Sequence, residues 1–126
     1  MNFYLMRAKV SQEAMNALVE RPEDRLISMT KVLQGVGGRL HYYFFCFGKY
    51  DIVLIYELPN NVSAAALSMV LTSSGSVTEV DTTPLLTMQE AIESMQQAGA
   101  AMGVYRPPGR TTADATKAPK PKRKNA

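Results

Sequence analysis

The stretch RLHYYFFCFGKYDIVLIYEL, residues 39–58, decides the fold. It holds two apolar, aromatic and β-branched runs joined at Gly48-Lys49-Tyr50-Asp51. Such side chains pack well on a pleated surface, and neither run contains proline, so the stretch reads as a β-hairpin. Gly48 takes positive φ at no steric cost, and Asp51 is suited to bond backbone amides in the turn. Side chains alternate between the faces of a strand. In the first run Leu40, Tyr42, Phe44 and Cys46 share one face, and Arg39, His41, Tyr43, Phe45 and Phe47 the other. Both are largely apolar, which predicts a central strand covered on both sides. In the second run Ile52, Leu54, Tyr56 and Leu58 oppose Val53, Ile55 and Glu57.

Working outward, Asn2 to Val10 alternates as a strand. Ser11 is placed to cap a helix, with Glu13 in the favourable first turn. Ala14, Met15, Leu18 and Val19 form its apolar face. Pro22 opens a second helical segment, which Gly37-Gly38 end. Beyond the hairpin, residues 62–72 read as a helix whose inner face carries Val62, Ala66, Met69 and Val70. Residues 76–83 read as a strand with one acidic face, stopped by Pro84. Thr87 and Glu90 fit a capping box that opens a last helix.

The order βαββαβ predicts an α+β, ferredoxin-like sandwich with an extra C-terminal helix. Four strands with two helices leave one face of such a sheet open. The other face would carry Phe45, Phe47, Val53 and Ile55, a large exposed apolar patch. Sheet-to-sheet pairing of two copies into an α/β barrel buries it, so a homodimer or higher oligomer is expected.

At 126 residues the chain has room for one domain, and 46% hydrophobic residues supply a core. Residues 1–105 hold seven Lys+Arg against ten Asp+Glu, whereas residues 106–126 hold seven against one. The sequence pI near 9.1 therefore belongs to the C-terminal segment and not to the folded part. That segment holds four of the seven prolines and no large apolar residue, so a disordered basic tail is expected over residues 104–126, after a domain spanning 1–103. The single cysteine, Cys46, excludes an internal disulfide and reads as a small buried hydrophobe. The apolar patch Phe3–Met6 is too short for a signal peptide, and no run approaches a bilayer span. A soluble, cytoplasmic protein without membrane contact is the expectation.

The open sheet face is expected to gather Arg7, Lys9, His41, Tyr43, Glu57, Glu79 and Asp81. Two readings stand: a polar lumen for a small molecule, with His41 accepting and Tyr43 donating a proton, or charge pairs that set a dimer's register. Tyr50 and Asp51 either orient that ligand or serve the turn alone. One histidine and one cysteine give no metal-ligand set, and no cofactor is expected. The basic residues Lys117, Lys120, Lys122, Arg123 and Lys124 suit weak, non-specific contact with nucleic acid or another polyanion through counterion release.

Several motifs then fall in one order: Gly48-Lys49-Tyr50-Asp51 after an aromatic strand, Glu57-Leu58-Pro59, Ser74-Gly75-Ser76-Val77, Thr83-Pro84-Leu85-Leu86-Thr87, and Glu90. Over residues 2–95 the chain resembles the GYD domain family, a set of small bacterial and archaeal proteins named for Gly-x-Tyr-Asp. Asn60 departs from the Asp common in relatives. The resemblance implies a branch of the dimeric α/β barrel superfamily, but transfers no catalytic residue. A similar hairpin occurs in the ligand-sensing domains of Lrp/AsnC regulators. Other such barrels are cofactor-independent monooxygenases, muconolactone-type isomerases and haem enzymes. The function expected first is a homodimeric small-molecule-binding or regulatory protein. A cofactor-independent oxygenase or isomerase using His41, Tyr43 and Asp51 is the alternative. Polyanion binding through the tail is a third.

Overall fold

Alternation along Asn2–Val10 makes this segment the centre of the sheet. Tyr4, Met6 and Ala8 are almost wholly buried, while Phe3, Leu5, Arg7 and Lys9 face the other way. A computed structural model describes residues 1–109, and these divide into two compact units, one over residues 1–87 and one that begins at Met88. In the first unit the order is β1 (Asn2–Val10), α1 (Gln12–Glu20), α2 (Leu26–Gly35), β2 (Arg39–Phe45), β3 (Ile52–Leu58), α3 (Asn61–Ser73) and β4 (Val77–Leu85). The strands form one antiparallel sheet in the order β2-β3-β1-β4. This is the ferredoxin-like α+β arrangement that the sequence predicts.

The core lies on one side of that sheet. Tyr4, Met6, Ala8, Ile52, Leu54, Tyr56 and Leu58 meet Met29 and Leu33 of α2 and Ala64, Leu67 and Leu71 of α3. Burial of each large apolar side chain stabilises the fold by about 1.5–3 kcal/mol. Tyr4 and Tyr56 stack with centroids 5.8 Å apart, and Tyr4 Oη donates to Asn61 Oδ1 at 2.8 Å.

Local chemistry fixes the helix ends. Ser11 Oγ accepts from the Ala14 amide at 3.1 Å, the expected cap of α1. Asn60 Oδ1 accepts from the Ser63 amide at 3.0 Å, a bond that the family's Asp would also make. At the end of α2, Gly38 donates to the Leu33 carbonyl at 2.8 Å. A Cβ on Gly38 would collide with the Glu57 carbonyl and the Leu58 side chain, so glycine lets this turn lie directly on β3.

Several expectations need correction. β2 is not central but an edge strand, and it stops at Phe45. Aromatic content alone does not distinguish a strand covered on both faces from one that exposes its rings. A bulge lies between Leu40 and Tyr42: Leu40 opposes Tyr56 and Tyr42 opposes Ile55, leaving His41 as the extra residue. The bulge inverts the parity of everything after it. Tyr43 therefore packs on the helix-side core and Phe45 lines a pocket there, whereas Tyr42 and Phe44 lie on the open face. Phe47 lies beyond the strand, in the turn. The second edge strand repeats the device. Lys9 opposes Glu79 and Val10 opposes Val77, leaving Thr78 extra and turning Val77 into the core.

Pro84 does not stop β4 but lies within it, opposite Tyr4. An edge strand tolerates a residue without an amide proton. Pro22 lies in the connection before α2, whose first amide, on Leu26, is taken by Asp24 Oδ1 at 2.8 Å. In α3 the buried stripe is Ala64, Leu67 and Leu71, while Val62, Met69 and Val70 are exposed. The helix is apolar on several sides, so periodicity alone fits more than one stripe.

The second unit contains α4 (Met88–Met102), with Glu90 in its first turn and Met88, Ile92, Met95 and Met102 recurring at helical spacing. No helix among the described residues is long and apolar enough to cross a membrane.

Candidate functional site

The sheet's open face is built from cross-strand pairs. Arg7 opposes Asp81, Lys9 opposes Glu79, and Arg39 opposes Glu57. Arg7 Nη2 donates to Asp81 Oδ2 at 3.1 Å. His41, displaced by its bulge, brings Nε2 to 2.8 Å from Glu57 Oε1 and stacks on Phe3 with centroids 5.5 Å apart. Six of the seven residues expected here, namely Arg7, Lys9, His41, Glu57, Glu79 and Asp81, do share this face. Tyr43 is the exception, carried to the opposite face by the His41 bulge. Between the charged pairs lies an apolar band. Tyr42 and Phe44 stack with centroids 6.0 Å apart and are each more than half exposed. Val53 and Ile55 oppose Phe44 and Tyr42 across the ladder.

The Gly-x-Tyr-Asp turn splits its two functional groups between two structural tasks. The Asp51 amide donates to the Ala8 carbonyl at 2.9 Å, and Asp51 Oδ2 accepts from the Val10 amide at 2.9 Å. Its carboxylate thus pins the hairpin to β1 beside the β4 bulge. Gly48, at φ 151°, lets the chain reverse ahead of that anchor. Tyr50 instead reaches the open face. The Arg7 guanidinium lies 5.0 Å from its ring centroid, and its hydroxyl donates a long 3.4 Å bond to Asp81 Oδ2. Cys46 sits beside the turn, half-buried, its thiol donating to the Tyr50 carbonyl at 3.2 Å.

A second candidate lies on the helix side, where sequence reasoning placed none. A pocket of about 240 Å³ opens where α1 gives way to the 21–25 connection. Val10, Ala14, Leu18, Met29, Phe45 and Ile52 supply apolar walls, and Tyr43, Glu23, Arg25 and Ser76 supply the polar groups, the Ser76 hydroxyl being already paired with that of Ser74 at 2.7 Å. Burial pushes the Tyr43 phenol up; Arg25 opposes that rise and Asp24 adds to it. Two signals in the sequence point to this space: small residues, Ala14 and Ala17, on the inner side of α1, and a non-helical break immediately after it. A shallower groove of about 310 Å³ runs between α3 and β4 over Ala64, Ala65, Ser68 and Thr82.

Among the described residues no group of three or more His, Cys, Asp or Glu is placed to hold a metal ion. The basic residues Lys117, Lys120, Lys122, Arg123 and Lys124 lie outside the described residues.

The Tyr50–Asp51 geometry gives a physical reason for the Gly-x-Tyr-Asp signature, and the comparison with protein families agrees with it: the GYD domain matches residues 4–95. The chain belongs to the GYD domain family. Among solved structures this GYD protein is similar to FFRP-DM1, with 12% identity over 68% of this chain and 100% of that one, and a TM-score of 0.43. It is also similar to two crystal structures from Agrobacterium tumefaciens. In one, identity is 18% over 71% of this chain and 95% of that one, with a TM-score of 0.43. The other, a nipsnap family protein with unknown function, shows 20% identity over 67% and 86%, with a TM-score of 0.40. No curated protein matches the sequence.

Proposed function

We propose that this GYD-domain protein is a homodimeric small-molecule-binding or regulatory protein, which binds a ligand between its sheet and helices and pairs through its open sheet face. The observation that carries the reading is the helix-side pocket, with apolar walls and one polar end. Preformed concavities of that composition are the usual places for small ligands, and its size suits a small one. Binding fits better than turnover. The three residues that would share proton transfer are parted: His41 is paired with Glu57 on the open face, Tyr43 lies on the helix side, and Asp51 is bonded to the Val10 amide.

The open face suits a second copy. Its Tyr42, Phe44, Val53 and Ile55 form an apolar band. Its three cations, Arg7, Lys9 and Arg39, oppose three carboxylates, so two copies meet without net repulsion. The pairing completes an α/β barrel. Native mass spectrometry of the full-length protein, purified without dialysis, tests both parts. A dimer mass with a small adduct is expected. Phe44→Glu is expected to give monomer, and Ala17→Trp, which fills the pocket, is expected to lose the adduct. A monomer without adduct overturns the reading.

A second reading rests on charge alone. Residues 106–126 hold seven Lys+Arg against one acidic residue, which favours weak polyanion contact. Ending the chain at Tyr105 is expected to abolish low-salt binding to nucleic acid. Equal binding by the shortened chain overturns it.

A further inference from the structure

The polar end of the helix-side pocket is chemically asymmetric. Arg25 is not a free cation, because Nη1 donates to Glu23 Oε2 at 2.9 Å. Asp24 is the next residue, and its carboxylate takes the Leu26 amide. The one guanidinium on the pocket lining is thus already paired with a carboxylate, and Asp24 adds a second negative charge beside them in the chain, so the formal charge of residues 23–25 offers no net positive charge to an anion. Tyr43 differs. Its hydroxyl makes no hydrogen bond to any of the described residues, although the residue lines the pocket and packs against the core. The phenol oxygen is not among the side-chain atoms closed off from water, so water serves it while the pocket is open, and a ligand that displaces that water must supply the acceptor. Around it, Val10, Leu18, Met29, Phe45 and Ile52 give a ligand body only dispersion contacts and apolar burial.

We infer that the pocket takes an uncharged, largely apolar small molecule bearing one acceptor oxygen, such as a ketone, aldehyde or ester carbonyl, which the Tyr43 hydroxyl recognises. The inference rests on the binding function proposed above and supplies its ligand class. A carboxylate ligand would meet Glu23 and Asp24 beside its own charge. A pure hydrocarbon would leave the phenol unpartnered at the cost of a lost hydrogen bond.

Three probes of similar shape separate these cases: acetophenone, isopropylbenzene and benzoate. Each is titrated into the ¹⁵N-labelled full-length protein, following the amides of Ala17, Leu18 and Phe45. Acetophenone is expected to bind roughly 3- to 10-fold more tightly than isopropylbenzene, the difference one neutral hydrogen bond makes. It is expected to bind more tightly than benzoate as well. Tyr43→Phe is expected to bring acetophenone to the level of isopropylbenzene while leaving isopropylbenzene unchanged. The order of the three probes on the unaltered protein stands even where that variant folds poorly. Tightest binding by benzoate overturns the inference and makes Arg25 the recognition group. Equal binding of ketone and hydrocarbon overturns the role of Tyr43 but keeps the pocket as a site. No shift at those amides with any probe, together with native spectra free of adduct, overturns the binding function itself.

Discussion

The two faces of this sheet are made by the same four strands and obey different rules. On the helix side Met6, Ala8, Leu54, Tyr56 and Leu58 are fully excluded from water, and their identity is set by volume and apolarity. On the open side the residues between them, Phe3, Arg7, Val53, Ile55 and Glu57, meet partners one pair at a time across the ladder. Both edge strands carry a bulge, and each bulge places an extra residue, His41 or Thr78, between elements that serve the core. The difference teaches where stability resides and where interaction is left to be made. A closed face gives the monomer its fold. A face of matched charges around an apolar band is the one proposed to meet a second copy.

The sharpest way to break that contrast is to truncate neighbours in one strand. Leu54 and Ile55 are adjacent in β3 and point to opposite faces. Leu54→Ala is expected to destabilise the chain by about 2–5 kcal/mol, because it opens a cavity among fully buried neighbours. Ile55→Ala is expected to cost less than about 1 kcal/mol at concentrations where the protein is monomeric, and more as concentration rises. Urea unfolding at two protein concentrations reads both. Equal losses for the two variants at low concentration would show that the open face is already packed.

The next test uses pH, because one buried phenol titrates far from its usual range. Burial pushes Tyr56 up to about 12, and the neighbouring Tyr4 adds to the rise. The Thr82 hydroxyl lies near enough to offset part of it, but the geometry falls short of a formed hydrogen bond. The folded chain therefore holds this proton more tightly than the unfolded chain, whose phenol titrates near 10. Its contribution to stability is complete below pH 10 and is lost as pH rises towards 12, by about 2–3 kcal/mol in all. Urea midpoints measured from pH 8 to 11.5 are expected to fall more steeply for the natural protein than for Tyr56→Phe. Parallel curves would show that Tyr56 opens to water before it ionises.

The tie between the Asp51 carboxylate and the Val10 amide joins the two faces at the hairpin's end, and it is expected to matter at an intermediate level. Asp51→Ala leaves a partly buried amide without its acceptor and is expected to cost about 1–2 kcal/mol. Asp51→Asn retains an acceptor oxygen and is expected to recover much of the loss. Amide hydrogen exchange at Val10 checks the cause, since protection there is expected to drop in the alanine variant and return in the asparagine variant.

How much of this was legible in the residues follows the same division. Regular alternation in β1 and β3 gave the core side of the sheet correctly, because Tyr4, Met6, Leu54 and Tyr56 keep a strict period of two. The bulges were not legible, since an extra residue carries no signature of its own in a run as uniform as LHYYFF. That single step assigned Tyr43 and Phe45 to the wrong face, while the aromatic content of both faces made β2 read as central. It also hid the pocket, which Tyr43 and Phe45 help to line. Asp51 was legible as a turn residue, but its bond to Val10, 41 residues away in sequence, depends on tertiary contact. In α3 the buried stripe was misplaced because Ala64, Leu67 and Leu71 compete with Val62, Met69 and Val70 at equally good spacing.

The smallest effect is expected where the geometry looks most specific. Arg7 and Asp81 form an ion pair at 3.1 Å, with Tyr50 leaning on both, yet each side chain of the pair is 42% exposed. Water and salt screen such a pair, and it contributes less than about 1 kcal/mol to the monomer. Asp81→Asn is therefore expected to shift the urea midpoint only slightly, and the shift is expected to shrink further in 1 M NaCl. Arg7 Nε, by contrast, is buried without a partner among the described residues, so the guanidinium is left half satisfied in one copy. If the open face pairs with a second copy, the same variant is expected to weaken dimerisation more than folding, because pairing removes the water that screens Arg7 and Asp81. Sedimentation equilibrium on Asp81→Asn separates the two. A dissociation constant unchanged from the natural protein, beside a large loss of monomer stability, would place this ion pair with the core and not with the interface.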